Sequence, residues 1–421
     1  MSDNKNVPDI RFKGVSGEWE HFSIEYCSSL ITKGTTPMTI GRSFVDSGIS
    51  FVKVESVDEI GNINQSKFAY IDVETDQILA RSRIKENDLL ISIAGALGRA
   101  AIVKKEILPA NTNQALAIVR LTNDSPVAVE FLYHFTKTKD FRDFVDASAS
   151  QGAQPNLSLG DISNVRILAP KKEEQTAIET YFQKLDSLIN LHQQKHEKLS
   201  NLKKAMLEKM FPKEGNNVPE IRFEGFSGGW IITGLASVAL VIDPHPSHRA
   251  PDAITDGIPF LGIGDLSEDG KISLKNVRHV HHNIYDEHSV RYKLEKGDFA
   301  YGRVASIGKI IDLTINIDKK YTYSPTMALV KPFKLNSEYL KSYLKTNVFK
   351  NIVENKTTGS TRKSLGVQNF RELPVCYPTD KNEQEKIGSY FQKLDKLIAL
   401  QKQQLEKLKN IKKACLDKMF V

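Results

Sequence analysis

The stretch YFQKLDSLINL begins at Tyr181 and returns as YFQKLDKLIAL at Tyr390. Solenoid units run roughly 20–50 residues, and this separation is several times longer, so whole domains have been duplicated. The two copies can be followed from their first residues. VPDIRFKGVSGEW, Val7 to Trp19, is answered by VPEIRFEGFSGGW, Val218 to Trp230, and these segments hold the only two tryptophans. Each copy then runs through mixed strand and loop character and closes in a long helix, about Glu174 to Phe211 and about Glu383 to Phe420. About two thirds of the aligned helical positions are identical. PKEGNN, Pro212 to Asn217, is a helix stop followed by a short linker. The openings VPDIRF and VPEIRF can be read as edge strands of each fold or as docking points for a partner.

Composition narrows the class. With 40% apolar and 8% aromatic residues in 421, the chain can bury cores and is globular rather than disordered. No run approaches the roughly 18–20 apolar residues of a membrane helix, and the polar start MSDNKNVPDIRF has no hydrophobic signal region, so a cytoplasmic protein is expected. Cys27, Cys376 and Cys415 lack CxxC spacing, which suggests neither a disulfide framework nor a zinc site. A net charge of +7 raises the odds of a polyanionic partner.

The helical pattern demands a partner helix. Leu185, Leu188, Leu199, Leu202 and Met206 form an apolar seam in the first helix, interrupted by His192 and Lys195. Leu394, Leu397, Leu408, Ile411 and Cys415 repeat it in the second, interrupted by Gln401 and Gln404. This is a heptad seam with a polar waist, and the nearest complement is its own duplicate. A helix of about 38 residues rises about 57 Å, whereas a domain of about 170 residues has a radius of gyration near 15 Å. A domain that small cannot return the chain along the whole helix, so the pair is expected to run antiparallel, with the waists meeting. The expected whole is a rod with one domain at each end, related by an approximate twofold axis.

Between arm and helix the copies share landmarks only. DSGISFVKVESVDEIGNI, from Asp46, corresponds to TDGIPFLGIGDLSEDGKI, from Thr255. RSRIKENDLLISIAGALGRAAIV, from Arg81, corresponds to RYKLEKGDFAYGRVASIGKIIDL, from Arg291, each with an aspartate, Asp88 or Asp298, before an apolar strand and a basic neighbour after a glycine. Shared supports with diverged loops are what two modules reading different ligands require.

Catalytic patterns are sparse. There is no GxxxxGK[ST] loop, and AGALGRA at Ala94 lacks the glycine spacing of a nucleotide cradle. A nuclease site built from Asp252 and Asp318-Lys319-Lys320 rests on short chance matches. His245, His248, His279, His281 and His282 crowd the second copy without acidic or cysteine partners at fixed spacing and without counterparts in the first, so hydrogen bonding suits them better than metal ligation. What recurs is donor-rich loops: KGTTP from Lys33, SHRAP from Ser247, the RSR and RYK entries, SQGAQPN from Ser150 and KTTGSTRKS from Lys356. Arg and Lys grip phosphates or read guanine, and Gln and Asn read adenine. The candidate DNA contacts are Lys33, Arg81, Arg83, Arg99, Gln151, Gln154 and Asn156 in the first copy, and Arg249, Arg291, Lys293, Arg303, Lys309, Arg362 and Lys363 in the second. Taken one at a time, such loops are also what any solvated surface carries.

NLSLGDISNVRILAPKKEEQTAIETYFQKLDSLI, from Asn156, and SLGVQNFRELPVCYPTDKNEQEKIGSYFQKLDKLI, from Ser364, share the cadence Pro, Glu-Gln, Ile, Leu-Asp, Leu-Ile. With the endings LKKAMLEKMF and IKKACLDKMF, nearly the whole chain resembles the specificity subunit of type I restriction-modification systems. Pro378 stands five residues before Glu383, a looser spacing than in some members. The resemblance implies an α+β chain of two mixed α/β target recognition domains, residues 1–170 and 214–379, separated by two long spacer helices, 171–213 and 380–421, paired as an antiparallel coiled coil with pseudo-twofold internal duplication. It also implies a non-catalytic subunit that binds an asymmetric two-part site on double-stranded DNA. Two methyltransferase subunits would dock on the helical regions, and restriction subunits would join them. S-adenosylmethionine, ATP and Mg would belong to those partners, with no cofactor on this chain. The competing reading is a coiled-coil scaffold that presents two protein-binding domains.

Overall fold

The computed structural model of the protein describes residues 6–149, 155–245, 247, 250–267, 272–313, 318–359 and 363–421. It divides into two compact units, Met1–Leu191 with Leu405–Val421, and His192–Gln404. Each unit therefore takes the start of one long helix and the end of the other.

The first unit is built on a four-stranded antiparallel sheet in the order Ser28–Lys33, Leu116–Leu121, Leu89–Ser92, Ala100–Ile102. Its central strand, LLIS, is buried at all four positions, so its sequence is a continuous apolar run rather than an alternation. A second sheet, Ala69–Ile71, Ile49–Val52, Ala110–Thr112, Arg83–Ile84, contains one parallel pair. A ladder of Glu20–Ser23 with Arg166–Ala169 closes the unit. The second unit repeats this plan. Its main sheet runs Ala239–Ile242, Met327–Pro332, Phe299–Gly302, Ile310–Asp312. A smaller sheet again carries a parallel pair, Ile258–Leu261 with Thr322–Tyr323, and the closing ladder joins Ile231–Gly234 to Pro374–Tyr377. Helix starts match as well. Thr138 Oγ1 accepts from Phe141 N, and Thr346 Oγ1 accepts from Phe349 N, each satisfying an amide that the first helical turn leaves open.

The repeated motif residues have physical roles that recur in both units. The openings VPDIRF and VPEIRF are not strands; they are held against a long helix by one arginine each. Arg11 makes a two-pronged bond to Glu174 at 2.7 and 2.6 Å and also donates to the Gly17 and Ser16 carbonyls. Arg222 does the same to Glu383 at 2.6 and 2.7 Å and to Gly228 and Ser227. Both glutamates are buried, where a carboxylate is tolerated only with such a partner. The neighbouring glutamines fix the approach to the helix: Gln175 donates to Pro126 and Pro170 carbonyls, and Gln384 donates to Pro378. Ile10 N bonds the Lys418 carbonyl and Ile221 N the Lys209 carbonyl, closing one open end of each long helix.

The long helices span Lys172–Lys209 and Lys381–Met419, and they pair antiparallel inside each unit. In the first unit Tyr181 meets Cys415 at 3.4 Å, while Asp186 pairs with Lys412. In the second His192 meets Gln401 at 2.7 Å, joining the two waists there, whereas Lys195, expected in the waist, is exposed; Lys203 pairs with Asp395. The terminal phenylalanines enter the cores: Phe420 packs with Trp19, Phe131 and Phe182, and Phe211 with Trp230, Tyr339 and Phe391.

The seam itself needs correction. Leu188, Leu202 and Leu397, expected inside it, are 43%, 40% and 45% exposed. Leu185, Leu199, Met206, Leu394, Leu408, Ile411 and Cys415 are buried or half-buried. The sheltered stripe alternates four and three residues from Leu185, through Ile189, His192, His196, Leu199, Lys203 and Met206, and likewise from Leu394 through Ile398, Gln401, Leu405, Leu408, Lys412 and Cys415. A two-helix pair shelters one stripe per helix; here it keeps Leu185, Leu199, Leu394 and Leu408, and the next residues, Ile189, Lys203 and Ile398, take the places expected of Leu188, Leu202 and Leu397. Among the described residues no helix is long and apolar enough to cross a membrane.

Candidate nucleic-acid interface

In an antiparallel sheet, strand ends and strand starts alternate along one edge, so loops far apart in sequence emerge together. In the first unit Ser28–Lys33 and Leu89–Ser92 end where Ala100–Ile102 and Leu116–Leu121 begin. The segments at that edge are linked by backbone bonds. Ile93 N donates to Ala115 O and Ile93 O accepts from Leu157 N, both at 2.9 Å; Thr35 N donates to Thr112 O at 3.2 Å; and Ala94 bridges Asn156. The turn at its tip is carried by Gly95, exposed and left-handed at φ 77°.

The second unit rebuilds the same cluster. Arg303 N donates to Thr326 O at 2.8 Å, Leu365 N to Arg303 O at 2.9 Å, and Val304 bridges Ser364. Its tip residue is Ala305, also left-handed at φ 62°, a conformation that L residues seldom adopt. One frame thus presents two different sets of loop side chains.

Lys33, Asn156 and Lys363 lie in the clusters and are exposed. Arg99 and Lys309, at equivalent positions, turn inward to hold an adjoining loop. Arg99 donates to Val57 O at 3.4 Å and to Glu59 at 3.3 Å; Lys309 donates to Ile263 O at 3.2 Å and to Leu266 O. Arg303 is a correction to the expected surface donor. It is 7% exposed and its guanidinium spends its donors on Leu365 O and Pro325 O, both at 2.8 Å, and on Asp243 at 3.3 Å. Burial pulls its pKa below the ordinary guanidinium value, and Asp243 opposes that shift.

Arg83 is occupied by Asp76, while Arg81 is exposed in the single turn Ala80–Ser82. Arg291, the last residue of helix His282–Arg291, and Lys293, in the segment leading to strand Phe299–Gly302, are both exposed. Asp88 and Asp298 are supports, paired with Arg120 at 2.7 Å and with Lys331 at 2.5 Å. Gln151, Gln154, Arg249 and Arg362 lie outside the described residues.

Two supports had no sequence signal beyond their residue type. Tyr133 Oη donates to Ile60 O at 2.5 Å, and Lys137 Nζ donates to Glu59 O at 3.3 Å and Ala100 O at 3.1 Å, so that with Arg99 three side chains hold the loop 57–61. Burial, with Lys412 nearby, brings the Lys137 ammonium down to about 8. The inward turn of Arg303 did have a signal: the aligned first-copy residue is Ile93, which is buried. Among the described residues no three His, Cys, Asp or Glu side chains are gathered to hold a metal ion.

Residues 44–201 and 251–410 each match the type I restriction modification DNA specificity domain. The chain is 27% identical over 211 residues to the type I restriction enzyme EcoBI specificity subunit of Escherichia coli, an alignment spanning 49% of this chain and less than half, 43%, of that protein. It is 22% identical over 343 residues to the MjaVIII specificity subunit of Methanocaldococcus jannaschii, covering 79% and 78% of the two chains. In fold it is similar to the type I restriction-modification S subunit from M. genitalium, with a TM-score of 0.63 at 14% identity over 99% of both chains. Two matched domains, on two units of one topology, show that the chain belongs to the family of type I restriction-modification specificity subunits, with two target recognition domains.

Proposed function

We propose that the protein binds an asymmetric, two-part site on double-stranded DNA, each loop cluster reading one half. The observation that carries this is the rebuilding of one backbone cluster with different side chains, Lys33, Gly95 and Asn156 against Asp243, Ala305 and Ser364. Lys33 and Lys363, with the exposed Arg81, Arg291 and Lys293 farther out, are available for phosphate or base contacts. In this reading the chain is non-catalytic. S-adenosylmethionine, ATP and Mg act on methyltransferase and restriction subunits bound to it.

The docking of two methyltransferase subunits is supported by a surface that the chain presents twice. Leu188 and Leu191 on the first helix and Leu397 and Leu400 on the second are each 43–45% exposed, at matching places in the repeated phrase. Exposed apolar residues grouped in this way mark surfaces that another chain covers.

Exchange of residues 20–155 for those of another family member tests the reading. The chimaera and the unaltered chain are coexpressed with the methyltransferase subunit, and the methylated DNA is sequenced. One half of the site is expected to change and the other to persist, with affinity falling steeply as salt rises. Changes in both halves, or no methylation at any two-part site with the unaltered chain, would overturn it.

A further inference from the structure

We infer that Arg303 is a positioning residue: it fixes the loops of the second cluster against one another and so sets which bases the second half-site tolerates, without touching DNA. The inference rests on the DNA-reading function proposed above. Both clusters share the backbone bonds of residue 93 or 303 to its neighbours. In the first, the side chain at that place is the buried Ile93, which adds packing alone. In the second, one guanidinium adds bonds to the two segments that the backbone of Arg303 already holds, through Pro325 in the turn before strand Met327–Pro332 and Leu365 in the segment leading into helix Val367–Glu372, and joins to them a third, the end of strand Ala239–Ile242, through Asp243.

A planar fork of donors imposes directions that an apolar side chain or a single ammonium cannot. Stability alone gives little reason for it. A buried cation is costly, an apolar residue serves in the first unit, and Arg303 Nε is buried with no partner among the described residues. The left-handed Ala305 stands two residues away, with its amide 3.4 Å from Lys363 O and Lys363 itself exposed. The bonds of Arg303 thus act on the segments that carry the exposed Ala305 and Lys363.

The test uses full-length Arg303→Ile, Arg303→Lys and Asp243→Asn, each coexpressed with the methyltransferase subunit and purified as the complex. Methylated sites are sequenced, and binding to a labelled duplex carrying the unaltered complex's site is measured across salt concentrations. Discrimination at the second half-site is expected to fall about tenfold or more, while the first half-site and the salt slope stay as they were. A slope lowered by about 0.9 would reveal a phosphate contact and overturn the positioning role. So would a folded Arg303→Ile that keeps its second half-site preference. If Arg303→Ile does not fold, Arg303→Lys and Asp243→Asn decide by the same two readouts. Absence of any two-part site with the unaltered complex would instead defeat the DNA-reading function.

Discussion

His134 shows how much one side chain can depend on its surroundings. It is 3% exposed, its ring lies 4.8 Å from that of Phe182, and its Nδ1 has no partner among the described residues. Burial, with Lys412 and Lys137 nearby, holds its pKa down to about 3. The unfolded chain takes up this proton near 6.5 and the folded one does not until about 3. Stability is therefore full above pH 6.5 and is lost as the pH falls toward 3, by about 1.4 kcal/mol per pH unit for a single such group. His288, held down to about 4 mainly by burial, adds to the loss. His134→Leu should flatten the fall in thermal midpoint between pH 6.5 and 4, measured by melts monitored by circular dichroism; parallel curves for the two proteins would refute this. The burial of His134 is completed by residues distant along the chain, Phe182 against its ring and Lys412 nearby.

At the scale of elements, periodicity was legible and phase was not. The heptad spacing identified two long helices, and their length implied the antiparallel course that the Tyr181–Cys415 and Asp186–Lys412 contacts show within one unit. The side of the apolar stripe that faces inward depends on what each unit packs against it. Leu185, 7% exposed, lies in a core with Ile178 and Phe182, while Leu188 is left outside. Leu185→Ala should cost about 2–4 kcal/mol, and Leu188→Ala about 0.5 kcal/mol or less, read from denaturant unfolding. Leu188→Asp with Leu191→Asp should leave unfolding unaltered and reduce retention of the methyltransferase subunit on copurification; full retention would count against the docking surface. An apolar surface kept for another chain and an apolar core leave the same trace in a sequence.

At the scale of the whole molecule, both long helices pass from one compact unit into the other. We propose that their length sets the unread gap between half-sites. Insertion of four residues into both helices, near His192 and Gln401, adds about 6 Å and a turn offset of about 40°. The methylated site should then have a longer gap, or binding should be lost; an unchanged gap would remove the helices as the spacer.

The sequence by itself determined the duplication, the two long helices with their joined polar waists, the repeated recognition domains and the family. Those follow from periodicity and from motifs whose partners lie close along the chain or in the other copy. Tertiary structure decided that Arg303 is interior, that Arg99 and Lys309 support a loop, that the arginine of each opening arm clasps a buried glutamate, and which leucines the helices hide. Burial and hydrogen-bond supply depend on segments brought together from far along the chain, so the same arginine can be a surface donor or an internal strut.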